Sequence, residues 1–281
     1  MKSRARFFES LRGLRRWTVW FILGTVLPLC AGAGAWWAVD RRLHDPSRAA
    51  KPFRLGLIKL PPFTDVTAEG RPFGSTVDTF TEAARRRHIP IEWVPVDGAR
   101  EKAMADGEVD LWPLTGNVPG RKSPYYITPP WGTNSFWLAT LASSGIASAS
   151  DLTGRSILYR DTAVQHYVAR KGFPNATLVP SPVSYGDILG AVCLGKTEAG
   201  IIMGGSAQAG RLQGVEACKT AKLHFILVPN GRIPNGIGAS PARPDARRAA
   251  DALRAEVIEM AKDGTLAAIN FRWFMDPASE A

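Results

Sequence analysis

A short pattern occurs twice in this chain, and the repeat narrows the folds open to it. Residues 97–131 read as a brief amphipathic helix, a tight turn at Gly107, and a buried strand over Val109–Leu114. Residues 185–205 give the same order: an amphipathic helix, a glycine and an acidic residue, then a short apolar strand with a Gly-rich exit. Gly107-Glu108-Val109-Asp110 corresponds to Gly195-Lys196-Thr197-Glu198. Two similar α/β units predict two lobes that offer strand ends to a shared cleft. In the first unit a Gly- and Pro-rich loop carries Arg121 near the carboxyl end of the strand, where open α/β sheets bind ligands. A guanidinium there can hold a carboxylate through two parallel hydrogen bonds. The plainer reading of the same residue is an arginine on a solvated loop.

The remainder alternates strand and helix. Strands are expected at Arg54–Lys59, Pro90–Val96, Phe136–Leu141, Ser156–Tyr159, Ala176–Val179, Leu223–Val228 and Gly236–Ser240. Helices are expected at Val77–Arg86, Thr162–Lys171, Ala207–Leu212 and Pro244–Asp263. The last places Ala249, Leu253, Val257, Met260 and Ala261 on one face, with Pro244 in its first turn. It should pack on the first lobe, sealed by Trp273 and Phe274.

Several segments resemble, in order, the bacterial extracellular solute-binding proteins of family 3, the polar amino-acid type. They are F-R-L-G-L-I-K-L-P-P-F (Phe53–Phe63), the G-R-P-F-G-S-T-V-D helix start from Gly70, G-E-V-D-L followed by R-K-S-P-Y-Y, L-T-G-R-S-I-L-Y-R-D-T-A (Leu152–Ala163), and K-D-G-T-L…W-F ending at Phe274. The resemblance implies a two-lobed type II periplasmic-binding-protein fold over residues 53–275. Lobe 1 would take residues 53–136 and 236–275, lobe 2 residues 137–235, and 276–281 would be a tail. Carried over residue by residue, Arg121 would clamp a ligand carboxylate, with Leu114 and Gly116 presenting strand-exit backbone groups beside it. Asp161, Thr162 and Ala163 would offer a helix start to an anion, Phe63 would line the first-lobe wall, and Met203 the second-lobe strand exit. For Thr162 an N-cap without ligand serves equally well, and Phe63 can equally be core.

Two departures stand out. Where amino-acid binders hold the ligand's ammonium with an Asp past the second-lobe strand, this chain has Met203-Gly204-Gly205. The early acidic residue of the helix-start motif is Thr76, although Asp78 remains. A buried ammonium without an anion is costly, so a carboxylate or other polar solute without an ammonium is as good a candidate as an amino acid.

The net charge of +10 suggests nucleic acid until it is mapped. Residues 1–16 carry +5 and residues 40–56 carry +3, leaving +2 for residues 57–281, with no basic stripe to follow a phosphate backbone. Between the basic blocks, Trp17–Val39 is a 23-residue run without a charge, bracketed by Trp17, Trp20, Trp36 and Trp37. That length spans a bilayer, and the preceding Lys and Arg residues put the amino terminus in the cytoplasm. The expectation is a single-pass inner-membrane anchor at 17–39 behind a cytoplasmic segment 1–16. A linker at 40–52 would follow, with the domain in the periplasm. A cleaved signal peptide at Ala31-Gly32-Ala33 and a lipoprotein through Cys30 are the alternatives.

Cys193 and Cys218 fall in the same lobe of an exported domain, where a structural disulfide is the natural pairing and two separate buried thiols the alternative. The four histidines, His44, His88, His166 and His224, lack metal-ligand spacing, and no cofactor or metal motif occurs. The resemblance implies a binding protein that closes on a small solute for an ABC-type transporter. A sensory or accessory subunit is the second reading. A periplasmic dehydratase on the same fold is the third, with no acid–base pair assignable to the cleft from sequence.

Overall fold

The computed structural model describes residues 45–49, 51–97, 99–120, 123–204 and 215–273. The chain divides into Met1–Arg48 and Ala49–Ala281. Of the first unit, the described part is a single 3-10 turn, Pro46–Arg48. The proposed span Trp17–Val39, the expected helix at 207–212, Arg121 and Phe274 lie outside the described residues. Among the described residues no helix is long and apolar enough to cross a membrane.

The second unit is built on one curled sheet. In chain order its strands are β1 (Phe53–Leu57), β4 (Ile91–Pro95), β5 (Leu111–Gly116), β6 (Tyr126–Ile127), β7 (Gly132–Leu141), β8 (Ser156–Arg160), β9 (Thr177–Ser181), β10 (Ala199–Met203) and β11 (Leu223–Ala239), while β2 (Asp65–Val66) and β3 (Pro72–Phe73) form a separate pair. The order is β4-β1-β5-β11-β7-β10-β8-β9, with β6 also on β11. β4-β1-β5 and β10-β8-β9 are parallel trios. The long strands β7 and β11 run antiparallel to each other and join the trios. Parallel strands buried on both faces need continuous apolar runs; β10 (A-G-I-I-M) supplies one, and β1 is apolar apart from Arg54, which is neutralised by Asp110.

Each trio has its own core. Around β1 and β5, the helix α1 (Ser75–Arg87) buries Val77, Phe80, Ala83 and Ala84. The long helix α5 (Ala246–Lys262) buries Ala249, Leu253, Val257 and Met260 against it, the period expected of an amphipathic face. Around β8 and β10, Leu138, Ile157, Val168, Ile188 and Ile201 are fully buried, with Ile188 of α4 (Tyr185–Cys193) packed over Gly200 of β10. Each such side chain contributes about 1.5–3 kcal/mol relative to exposure. Two shorter helices, α2 (Arg100–Ala105) and α3 (Ala163–Gly172), open at the gap between the halves, and α6 (Thr265–Arg272) follows α5. The molecule is therefore two-lobed.

The sequence repeat is visible in the coordinates. Gly107 and Gly195 both adopt positive φ, 69° and 67°, after α2 and α4. The acidic residue before each following strand then caps the start of that strand's parallel neighbour. Asp110 accepts from the backbone N–H of Arg54 in β1 at 2.9 Å, and Glu198 from that of Ser156 in β8 at 2.7 Å. The two copies differ in burial. Asp110 is 1% exposed and also accepts Arg54 Nη2 (2.8 Å) and Arg243 Nη1 (2.9 Å). Arg243 in turn stacks on Phe53 at 3.7 Å and donates to the carbonyls of Lys51 and Pro52. Burial pushes the Asp110 carboxyl up, but the two guanidiniums and the Arg54 amide more than offset it and hold it below its ordinary value.

Three expectations need correction. The two strands expected at Leu223–Val228 and Gly236–Ser240 are one 17-residue strand, continuous across a register shift between Leu227 and Arg232 where Asn230 takes φ 56°. The intervening polar and Pro residues, which suggest a break, are absorbed by that bulge. The expected Val109–Leu114 strand runs Leu111–Gly116 instead, because the amides of Glu108 and Val109 still close the turn after α2 onto Ala103 O. Pro244 lies before the helix rather than in its first turn: Asp245 is the cap residue and α5 begins at Ala246.

Cys193, at the end of α4, is disulfide-bonded to Cys218, 25 residues on. Closing a loop of that length is worth about 2–4 kcal/mol. The Cys193→Ser/Cys218→Ser variant is expected to melt several degrees lower, and reductant should lower the wild-type midpoint by the same amount while leaving the variant unchanged, as measured by circular dichroism.

Candidate functional site

A cavity of about 760 Å³ opens between the lobes. Its first-lobe wall comes from the exits of β1 and β5 and from the start of α2. Its second-lobe wall comes from the β8–α3 junction and the ends of β9 and β10. Asn134 of β7 and Asn235 of β11, on the two joining strands, also line it.

The β8–α3 junction presents a helix start to the cavity. Thr162 is the N-cap of α3, extended at φ −137°, and its Oγ1 accepts from Gln165 N at 3.3 Å. The amides of Ala163 and Val164, the first in the helix, have no intrahelical acceptor. Gln165, 1% exposed, braces the turn from behind: its Oε1 accepts from Arg160 N (3.0 Å) and its Nε2 donates to Tyr185 Oη (2.5 Å). Burial pushes the Tyr185 hydroxyl up to about 12, against the opposing pull of Arg160, so it remains a neutral phenol. The Arg160 guanidinium lies 5.3 Å from the centre of the Tyr185 ring, a cation–π seat.

Asp161 faces the cavity but is engaged: its Oδ1 is 2.7 Å from His166 Nε2, and His166 Nδ1 is 2.9 Å from Tyr159 Oη. His166 is thus the centre of a Tyr–His–Asp chain at the cleft edge.

Across the gap, Arg100 donates to Leu114 O (3.2 Å) and to Glu101 Oε1 (2.7 Å), and lies 6.0 Å from the Trp112 ring centre. Its Nε is buried without a hydrogen-bond partner, and so is Asn235 Nδ2. Both residues line the cavity.

Of the residues singled out from sequence, Leu114, Gly116, Asp161, Thr162, Ala163 and Met203 lie together on this cavity. Phe63 does not: it is 2% exposed and packed in a hydrophobic core, while Leu60 and Thr64 of the same loop reach the wall. Arg121 is outside the described residues. Thr76 lines the cavity, whereas Asp78 accepts Trp273 Nε1 at 3.0 Å, tying α1 to the end of α6. Among the described residues no group of three or more His, Cys, Asp or Glu is placed to hold a metal ion. Sequence reasoning missed Arg100, Arg160 and Asn235. Arg160 had a usable signal, since it ends a parallel strand immediately before Asp161; Asn235 had none.

Comparisons agree with this architecture. The family model for bacterial extracellular solute-binding proteins, family 3, matches residues 55–276. A substrate-binding protein of an ABC uptake transporter from Streptococcus pneumoniae, solved with bound histidine, superposes with TM-score 0.69 at 17% identity, covering 85% of this chain and 98% of that one. A histidine kinase sensor domain similar to periplasmic binding proteins gives TM-score 0.66 at 20% identity, over 82% and 99%. An ancestral amino-acid-binding protein, a precursor of cyclohexadienyl dehydratase, gives 0.64 at 19%, over 79% and 95%. No curated protein matches the chain. At these identities the structural likenesses establish the fold, and the family match over most of the chain establishes membership: this protein is a bacterial extracellular solute-binding protein of family 3.

Proposed function

We propose that the protein is a membrane-anchored periplasmic receptor that captures a small, carboxylate-bearing solute between its lobes for an ABC-type importer. The observation that carries this reading is the inter-lobe cavity, into which the amide-rich start of α3 and cationic side chains of both lobes converge. Solute contacts made by both lobes at once would favour the closed form, since a ligand shifts such an equilibrium only through differential affinity. In this reading Trp17–Val39 is retained as the anchor, residues 40–52 are the tether, and Arg121 supplies a further guanidinium at the site.

The histidine-kinase sensor domain among the similar structures favours a second reading, in which the same closure reports the solute to a signalling partner rather than delivering it.

Thermal shift of the purified full-length chain against the L-amino acids and small carboxylates tests the common core of both readings. A true ligand at one hundred times its Kd should stabilise by about 2.7 kcal/mol, raising the midpoint by roughly 5–10 °C for a domain of this size. Arg121→Ala is expected to abolish that shift. A midpoint unmoved by every compound would defeat the proposal, and an unchanged shift in Arg121→Ala would remove Arg121 from the site.

A further inference from the structure

We infer that the cleft is built for a solute with an anionic group at each end and no ammonium, a small dicarboxylate; this rests on the solute-binding reading above. The reasoning starts from unmet donors. Among the described residues, the buried side-chain nitrogens and oxygens without a partner are Arg100 Nε and Asn235 Nδ2, and both residues line the inter-lobe cavity. A buried donor left unmet is costly, and two at one place leave the cavity short of acceptors. The missing acceptors are what a carboxylate brings.

The charges are arranged to match. Arg100 stands on the first lobe and Arg160 on the second, and each guanidinium is oriented by an aromatic ring, Trp112 and Tyr185 respectively. Among the described residues no carboxylate is in ion-pair contact with Arg160, which sits on the Tyr185 ring and lines the same cavity wall as the start of α3. One anionic end would sit against Arg160 and those amides, the other against Arg100 and Asn235.

The same cavity offers little to a cation. Its two carboxylates each hold a partner, Glu101 the Nη2 of Arg100 and Asp161 the His166 ring, each at 2.7 Å, and Arg100 keeps its Nε for an incoming acceptor. The exit of the second-lobe strand β10 presents Met203, 4% exposed and apolar, on the cavity wall. An ammonium buried there would lose its hydration without gaining an anion.

Isothermal titration of the full-length chain with succinate, glutarate, butyrate, L-glutamate and L-glutamine tests the assignment. Succinate or glutarate should bind at least about ten-fold tighter than butyrate or L-glutamine, the value of one charge-assisted contact. L-Glutamate should bind more weakly than glutarate. Arg100→Gln and Arg160→Gln should each weaken the dicarboxylate by about ten-fold or more, with Arg160→Lys recovering part of the loss and thereby excluding misfolding as the cause. If L-glutamine or L-glutamate binds tighter than every dicarboxylate, or if both glutamine variants keep wild-type glutarate affinity, this inference falls while the solute-binding function stands. If no member of the panel binds, the dicarboxylate assignment falls, and the wider amino-acid and carboxylate screen above then decides the function separately.

Discussion

Asp110→Ala is expected to lower the unfolding free energy by about 3–5 kcal/mol, the usual result of removing one partner from a buried, hydrogen-bonded ion pair. The Asp110 carboxylate joins three segments distant in sequence: the start of β1 through the Arg54 amide and guanidinium, its own strand β5, and the turn after β11 through Arg243. Removing it leaves the partly buried Arg243 facing a gap, with Asp245 as its remaining carboxylate partner, and strips Arg54 of its bidentate acceptor. The repeat supplies an internal control. Glu198 holds the same position in the second unit and caps β8 in the same way, but at 44% exposure its ion pair with Arg155 is screened by water. Glu198→Ala should therefore cost no more than about 1 kcal/mol. Urea denaturation of both variants measures the contrast, and equal losses would refute the argument from burial. Acid provides a second readout. The folded-state pKa of Asp110 lies below its ordinary value of 3.8, so its stabilisation is complete above that value and is lost as pH falls through the lowered folded pKa. The wild type should lose stability below about pH 4 more steeply than Asp110→Ala, which no longer has that proton to bind.

Gly116→Val is expected to weaken solute binding by at least about ten-fold while changing the midpoint of the empty protein by only a few degrees. Gly116 ends β5 on the cavity wall, and a Cβ built there would lie 2.7 Å from Cγ2 of Val164, at the start of α3 on the other lobe. Val164 is short and branched at Cβ, so it cannot swing aside cheaply. The added side chain should act as a wedge against closure, and the loss would fall on binding because closure is what the solute stabilises. Gly116→Val/Val164→Ala should recover part of the affinity by restoring the space. Titration with whichever solute the thermal screen identifies measures both, and a single variant that binds like wild type would show that the two walls do not need to meet here. Contrast Gly74, whose φ of 130° and backbone neighbour, Phe63 O at 2.3 Å from a built Cβ, make any side chain there a folding defect.

Much of the architecture was legible because local signals were strong and mutually consistent. The spacing of Ala249, Leu253, Val257, Met260 and Ala261 announces a one-sided helix, and α5 buries the first four while Ala261 faces solvent. The repeated helix, glycine and acid announce a repeated unit, and both glycines take the left-handed turn that the pattern requires. The strand β11 reads as two in the sequence, since Pro229 and Asn230 look like a break and only pairing with β7 on either side shows that the chain continues.

The sequence by itself determined what depends on neighbours along the chain: the α/β alternation, the helix start at Thr162, the apolar faces, and the family to which their order belongs. Tertiary structure alone decided what depends on distant segments meeting: that Arg100, Arg160 and Asn235 share one cavity, that Phe63 is core, and that Asp78 is spent on Trp273 while Asp110 is locked between two arginines. Periodicity reports which face of an element is apolar. It carries no information about which polar group from elsewhere in the chain will meet a given side chain, and that pairing decides whether a charge serves the fold or waits for a ligand.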